Sequence, residues 1–289
     1  MSHFVSLKNG ALRCEVNPTL GGCITGLWCG NNAILQSSEP IGQMTVKDAA
    51  SFVMLPFSNR IGNGKVHWLE RDYLLTQNFA PEPHAIHGIG WQRAWSVLSQ
   101  NSSAIVMGLE HFANPDWPFG FYAEQSISLH ENKLQMRLQS TNTTQQPTPV
   151  GMGWHPYFVK RKGAKLSFSS TGRWEMGTDK LPLHRKESEG IQQRLEALDV
   201  DHCFDGWDGS LLLEDAEHRC TVESDMSRLV VYTKPYMNRV AIEPVSHVNN
   251  ALQMADKAQA MLDLGVKTLM PEQSFACNMQ ITITSGRFG

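Results

Sequence analysis

No apolar run in the 289 residues approaches the roughly 18 that a helical membrane span requires. The opening Met1-Ser2-His3-Phe4 lacks the basic and apolar regions of a secretory signal, so a cytoplasmic protein with no membrane partner is expected. Positive charge is not in excess either. A net charge of −3 and a pI near 6.4 leave no electrostatic footprint for nucleic acid, and direct attention to neutral or weakly charged small molecules. Cysteine is sparse, six residues without the short paired spacing of a zinc module, which predicts reduced and mostly buried thiols. A Gly-x-Ser-x-Gly elbow is missing, which removes support for a Ser-His-Asp hydrolase. Internal repeats, low-complexity tracts and linkers are missing too. The polar, proline-bearing stretch 141–149 reads as a turn between strands, and residues 1–289 are expected to form one domain.

What the chain does contain is a succession of short alternating or β-branched runs broken by Gly, Asn, Pro and Asp, the pattern of an antiparallel all-β protein. Such runs occupy residues 11–16, 104–109, 125–129, 133–140, 211–213, 228–232 and 240–244. The clearest is the last, where Phe275, Cys277, Met279, Ile281 and Ile283 alternate with polar or small residues and so predict a half-buried strand. Helical spacing occurs only over 189–198 and 249–262, and short surface helices are expected at both places.

Chemistry-bearing residues gather in three tracts. Gly151-Met152-Gly153-Trp154-His155-Pro156-Tyr157-Phe158 sets one histidine among aromatic rings just after a strand-like segment. An imidazole exchanges protons near neutral pH, and rings beside it can cover the apolar face of a pyranose. Leu55-Pro56-Phe57-Ser58-Asn59-Arg60-Ile61-Gly62-Asn63-Gly64 sets an arginine in a tight Gly/Asn turn suited to a ligand contact. His84-Ala85-Ile86-His87-Gly88-Ile89-Gly90-Trp91 places two histidines before a tryptophan, of which His84 reads as a turn residue. Trp91 and Trp154, beside the histidines, are the expected pocket walls. Most of the eight tryptophans read as core. A metal site from His84, His87 and His155 is disfavoured, because no carboxylate or cysteine stands at a familiar spacing. The acidic stretch around Asp199, Asp201, Asp205 and Asp208 reads as a solvated turn rather than a calcium loop.

Taken in chain order, the tracts resemble the aldose 1-epimerase, or galactose mutarotase-like, family. Gly21-Gly22, Trp117-Pro118-Phe119, Asp201-His202-Cys203-Phe204 and Glu243-Pro244-Val245-Ser246-His247 extend the resemblance over nearly the whole chain. It implies a β-supersandwich of large antiparallel sheets with a site on a concave face. It also implies a mutarotase that interconverts the α and β anomers of a free aldose by acid/base ring opening, without metal or cofactor. By the same resemblance His155 is the acid at the ring oxygen and His87 assists there, while Arg60, with Asn59 before it, contacts the sugar and Asp201 orients hydroxyls.

One position departs from the pattern. Where the family has a glutamate base in Leu-x-Pro-Gly-Glu-Ser, this chain reads Leu269-Met270-Pro271-Glu272-Gln273-Ser274. Without a gap Gln273 takes the place of the base, contacting sugar but unable to take a proton. A one-residue bulge would instead carry Glu272 into that place. The two alignments separate an isomerase with Glu272 as base from a non-catalytic sugar-binding or regulatory homologue. A third reading, a hexose-phosphate mutarotase, needs added cations, for which Lys160-Arg161-Lys162 is the candidate run. A glycosidase is disfavoured, since only Asp201 and Glu272 offer the two carboxylates cleavage uses. Which sugar is bound, and the oligomeric state, are matters of geometry that residue types do not encode.

Overall fold

The computed structural model describes residues 4–37, 44–254, 263–286 and 288. Strands dominate it. One sheet holds nine strands, in the order Ser96–Gln100, Ala104–His111, Phe121–His130, Lys133–Asn142, Ser274–Ser285, His218–Ser224, Ser210–Glu214, Lys165–Phe168 and Ile191–Arg194. An eight-stranded sheet runs Pro182–Glu187, Gly172–Met176, Val200–Asp205, Arg228–Thr233, Arg239–Val245, Gly153–Trp154 and Val53–Met54, with Tyr157–Val159 also paired to Arg239–Val245. A four-stranded meander, Val5–Asn9 to Asn32–Ala33, completes the larger sheets. The chain is thus all-β, in large antiparallel sheets.

Ser274–Ser285 illustrates why these residues make strands. Cys277, Met279, Ile281 and Ile283 are buried while Asn278 and Thr284 are exposed, so one pleated face enters the core and the other meets solvent. Lys133–Asn142 pairs along one edge and His218–Ser224 along the other, which makes it a central strand. Each fully buried Leu, Ile or Met of this kind contributes roughly 1.5–3 kcal/mol. The runs predicted at 104–109, 125–129, 133–140, 211–213, 228–232 and 240–244 all fall within strands, and 11–16 does so from Leu12.

The helix expected over 189–198 is not formed. Ile191–Arg194 is an edge strand on Lys165–Phe168, followed by a single 3₁₀ turn, Leu195–Ala197. The helical spacing of Ile191, Leu195 and Leu198 is real, and all three are buried. Ladder pairing outweighs that weak propensity, and Gly190, at φ +95°, lets the chain pass close to the Phe168 carbonyl. Of the helix expected over 249–262, Ala251–Met254 is helical; residues 255–262 lie outside the described part. Among the described residues no helix is long and apolar enough to cross a membrane.

Candidate functional site

The strand Arg239–Val245 organises the site. Val240 and Ile242 are fully buried in the main apolar cluster, so by alternation Arg239, Ala241 and Glu243 face the other way. Glu243 is the one charged side chain inside an otherwise apolar run, Val240-Ala241-Ile242-Glu243-Pro244-Val245. Ladder register extends this face sideways: Ala241 lies beside Tyr232, and Tyr232 beside Asp201. On the opposite edge Ala241 pairs with Tyr157 and Val245 with Gly153. That register brings His155 opposite Glu243, at the point where Pro156, lacking an N–H, interrupts the ladder. The His155 amide donates instead to the Phe52 carbonyl at 2.9 Å.

The facing wall comes from two loops joined by the short pairing of Arg60–Ile61 with Ala85–Ile86. Asn59 and His87 both hold left-handed backbone, at φ 53° and 58°, and they clasp each other. The His87 amide donates to the Asn59 carbonyl at 2.8 Å, and the Asn59 amide donates to His87 Nδ1 at 3.1 Å. Since Nδ1 accepts, the neutral ring carries its proton on Nε2. Gly88 follows at φ +67°, where a Cβ would stand 2.1 Å from the Leu55 carbonyl oxygen. Gly88→Ala is therefore expected to destabilise by at least about 3 kcal/mol, read as a drop in thermal midpoint, because backbone strain and a backbone clash coincide. An alanine variant melting with the parent would contradict this packing.

Between these walls lies a cavity of about 380 Å³, lined among others by Phe52, Asn59, Arg60, His87, Trp91, His155, Tyr157, Asp201 and Glu243. Small-molecule sites fall in the range of roughly 300–1,000 Å³. Rings form one side: Phe52 stacks on Trp91 at 5.3 Å and lies 4.7 Å from the His155 ring, while His87 meets His155 edge-on at 5.2 Å.

The electrostatic centre is a buried pair. Nε2 of His155 lies 3.1 Å from Oε1 of Glu243. Burial drives the His155 pKa down to about 3 and lifts that of Glu243 well above the carboxylate range, the field of Asp201 adding to the rise. Both shifts disfavour charge on the pair, which favours a neutral imidazole sharing the proton of a protonated carboxyl. Among the described residues, His155 Nδ1 and Glu243 Oε2 have no hydrogen-bond partner although both are buried. His87 is likewise held neutral, its pKa well below the usual value through burial, then the fields of His155 and Arg60. Arg60 forks onto Glu82 through Nε and Nη2, both at 3.2 Å, and Lys180 closes on the same carboxylate. Burial alone would raise the Glu82 pKa, but these two cations bring it to about 2.

The structure therefore brings together His155, His87, Arg60, Asn59, Asp201 and Trp91. It separates three other candidates from them. Trp154 precedes His155 on the pleat, so it points into the apolar core, where it is fully buried. Glu272 and Gln273 are exposed on a turn outside the cavity. Glu272 adopts φ +65°, standing in for a glycine, and its amide donates to the Asn142 carbonyl at 3.0 Å. Gln273 closes the turn, its Oε1 accepting from the Met270 amide at 2.9 Å. No bulge carries Glu272 inward. Glu272→Gln and Gln273→Glu are each expected to change any catalytic rate by less than about twofold, since neither side chain can reach a proton in transit.

The basic run after Phe158 is also remote: Lys160 donates to the Lys234 carbonyl at 2.9 Å and Arg161 pairs with Asp215 at 3.2 Å. His84 is a turn residue, its Nδ1 accepting from the Asn63 amide at 3.0 Å. Among the described residues no group of three His, Cys, Asp or Glu could hold a metal ion. Sequence reasoning passed over Glu243 as a chemical group, although a lone carboxylate in an apolar strand was the available signal. It also passed over His247, which is buried with Nε2 accepting from the Ser58 amide at 3.0 Å and Nδ1 donating to the Val248 carbonyl at 2.7 Å.

A family profile for aldose 1-epimerase matches residues 3–267 of the chain. Among curated relatives, the uncharacterised protein YphB of Escherichia coli is 27% identical over 226 residues, covering 73% of each chain. Among solved structures, a candidate aldose 1-epimerase from Escherichia coli superposes with a TM-score of 0.89 at 22% identity, covering 99% of this chain and 100% of that one. A GalM/aldose epimerase homologue from C. elegans gives 0.81 at 16% identity, covering 99% of both chains. Galactose 1-epimerase from Lactobacillus acidophilus gives 0.80 at 16% identity, covering 98% and 95%. At these identities the structural likeness establishes the fold.

Proposed function

The chain belongs to the aldose 1-epimerase family, and from that membership and the cavity's geometry we propose that it is an isomerase interconverting the α and β anomers of a sugar. The observation that carries the proposal is the buried Glu243 carboxyl 3.1 Å from His155 Nε2. A carboxylate missing from the C-terminal tract is supplied here by another strand.

Anomer exchange removes the C1 hydroxyl proton, breaks the C1–O5 bond and protonates O5, which leaves an open aldehyde. Rotation about C1–C2 and reversal of the same transfers close the other anomer, with no net gain or loss of protons. A pair sharing one proton meets this requirement, since one member gives as the other takes. We assign His155 to the ring oxygen and Glu243 to the C1 hydroxyl. The shared proton first crosses from Glu243 to His155 over their 3.1 Å contact, which leaves an imidazolium to give and a carboxylate to take; opening then returns the neutral imidazole and protonated carboxyl that burial favours. Each well-placed transfer is worth about 10²- to 10⁴-fold. His87, with its proton on Nε2, supports the developing charge at the ring oxygen. Arg60, Asn59 and Asp201 hold hydroxyls, and Phe52 and Trp91 cover the sugar's apolar face.

The alternative of a non-catalytic binder rested on an absent base, and Glu243 in the cavity favours catalysis over it. The test is anomer exchange measured by NMR on freshly dissolved and equilibrated aldoses, the protein being expected to accelerate it well beyond buffer. Binding of sugars without acceleration of any would reject the isomerase.

A further inference from the structure

The cavity is richer in cations than a site for a neutral sugar needs. Lys47, Arg60, Lys180 and Arg239 all line it, against Glu82, Asp201 and the proton-sharing Glu243. Glu82 occupies Arg60 and Lys180. Lys47 and Arg239 form no ion pair with a carboxylate among the described residues; Asp48, bonded to Thr45, is the acid whose field reaches Arg239. Both cations are instead held over rings at the cavity wall, Lys47 Nζ 4.0 Å from the Phe79 centroid and Arg239 Cζ 4.4 Å from that of Tyr157. A further contact, from Arg239 Nη1 to Gln36 Oε1 at 3.2 Å, pins the guanidinium. Stacking uses the guanidinium's face and leaves its N–H edge for an oxyanion.

Position adds a direction. Arg239 stands four residues before Glu243 on the same face, about 13 Å along the strand. Tyr157 links the two ends, its ring 4.5 Å from that of His155 and 4.4 Å from the Arg239 carbon. A pyranose with C1 at the His155–Glu243 pair would present its far end to the guanidinium. Resting on the isomerase reading for the sugar's orientation, we infer that this cavity selects sugars carrying a negatively charged group, a carboxylate or a phosphate, at the end remote from C1, held between Arg239 and Lys47. The Lys160-Arg161-Lys162 run takes no part.

The test uses the intact protein with glucose, glucose 6-phosphate and glucuronate. Calorimetry gives affinity at low and raised salt, and exchange NMR gives the rate of anomer interconversion. At least one of the two acids is expected to bind ten-fold or more tighter than glucose at low salt, with the advantage shrinking as salt rises. Arg239→Gln and Lys47→Gln should each draw the acid-to-glucose ratio toward one, while Arg239→Lys keeps part of it. Lys47 is exposed, so its variant remains informative should the Arg239 variants misfold. Which acid wins distinguishes phosphate from carboxylate. Equal binding of all three sugars, or acceleration of glucose alone, overturns the inference while leaving the isomerase standing. Selective binding of an acid with no acceleration of any sugar sustains the charge preference and rejects the isomerase.

Discussion

Replacing Glu243 by glutamine is expected to slow anomer exchange by about 10²- to 10⁴-fold, the range for loss of one positioned proton-transfer group. The fold should survive the change. In the resting pair burial favours the protonated carboxyl, from which the shared proton passes to His155 only for reaction, and an amide of nearly the same shape removes no buried charge, so stability should move by less than about 1 kcal/mol. That separation of rate from stability makes the experiment decisive, because a merely structural acid would lose both or neither. The measurement is exchange NMR on the most active sugar, beside chemical unfolding of the same sample. A glutamine variant as fast as the parent would falsify Glu243 as the base. The near-silent changes expected at Glu272 and Gln273 provide the contrast.

Acid should weaken the fold through two other imidazoles. His247 accepts the Ser58 amide at Nε2 and His87 accepts the Asn59 amide at Nδ1, so protonating either ring sets two donors face to face. Burial, against a smaller opposing effect of the Val248 carbonyl, takes the His247 pKa down to about 4, and His87 is held well below the ordinary value of 6.5. Both folded-state pKa values are depressed. Their stabilisation is therefore complete above the unfolded value near 6.5 and is lost as pH falls toward the folded values. Below 6.5 the unfolded chain binds two more protons than the folded one, which costs about 1.4 kcal/mol per pH unit per histidine. Between pH 7 and pH 5 the pair should cost about 4 kcal/mol of unfolding free energy, read from urea transitions at the two pH values. An unfolding free energy that stays level across this interval would mean that the rings are not buried in their neutral forms.

Much of the architecture was already legible in one dimension. The alternation of Phe275 through Ile283 could satisfy only a pleated strand with one face covered, and similar runs announced an antiparallel all-β chain. His155, His87, Arg60, Asn59, Asp201 and Trp91 were recognisable because their tracts keep residue types in a distinctive order, and the fold places all six around one cavity. Where a signal was local and weak, long-range pairing overruled it. The helical spacing of Ile191, Leu195 and Leu198 gave way to a ladder with Lys165–Phe168, a partner more than twenty positions away.

Which way a side chain points was beyond the linear pattern. Trp154 and His155 are neighbours with opposite fates, because the pleat sends one into the core and the other into the cavity. At the C-terminal tract, the choice between Glu272 and Gln273 could not be made by counting residues, and the turn at Met270–Gln273 answered with neither. The carboxyl at the reacting centre comes from a strand 88 positions beyond His155, brought opposite it by a register that only the assembled sheet defines. Residue types and their order settle the class of chemistry, since they set what can donate, accept or stack. Pairing across distant strands settles which of those groups meet, because a proton moves only between atoms held within hydrogen-bonding reach.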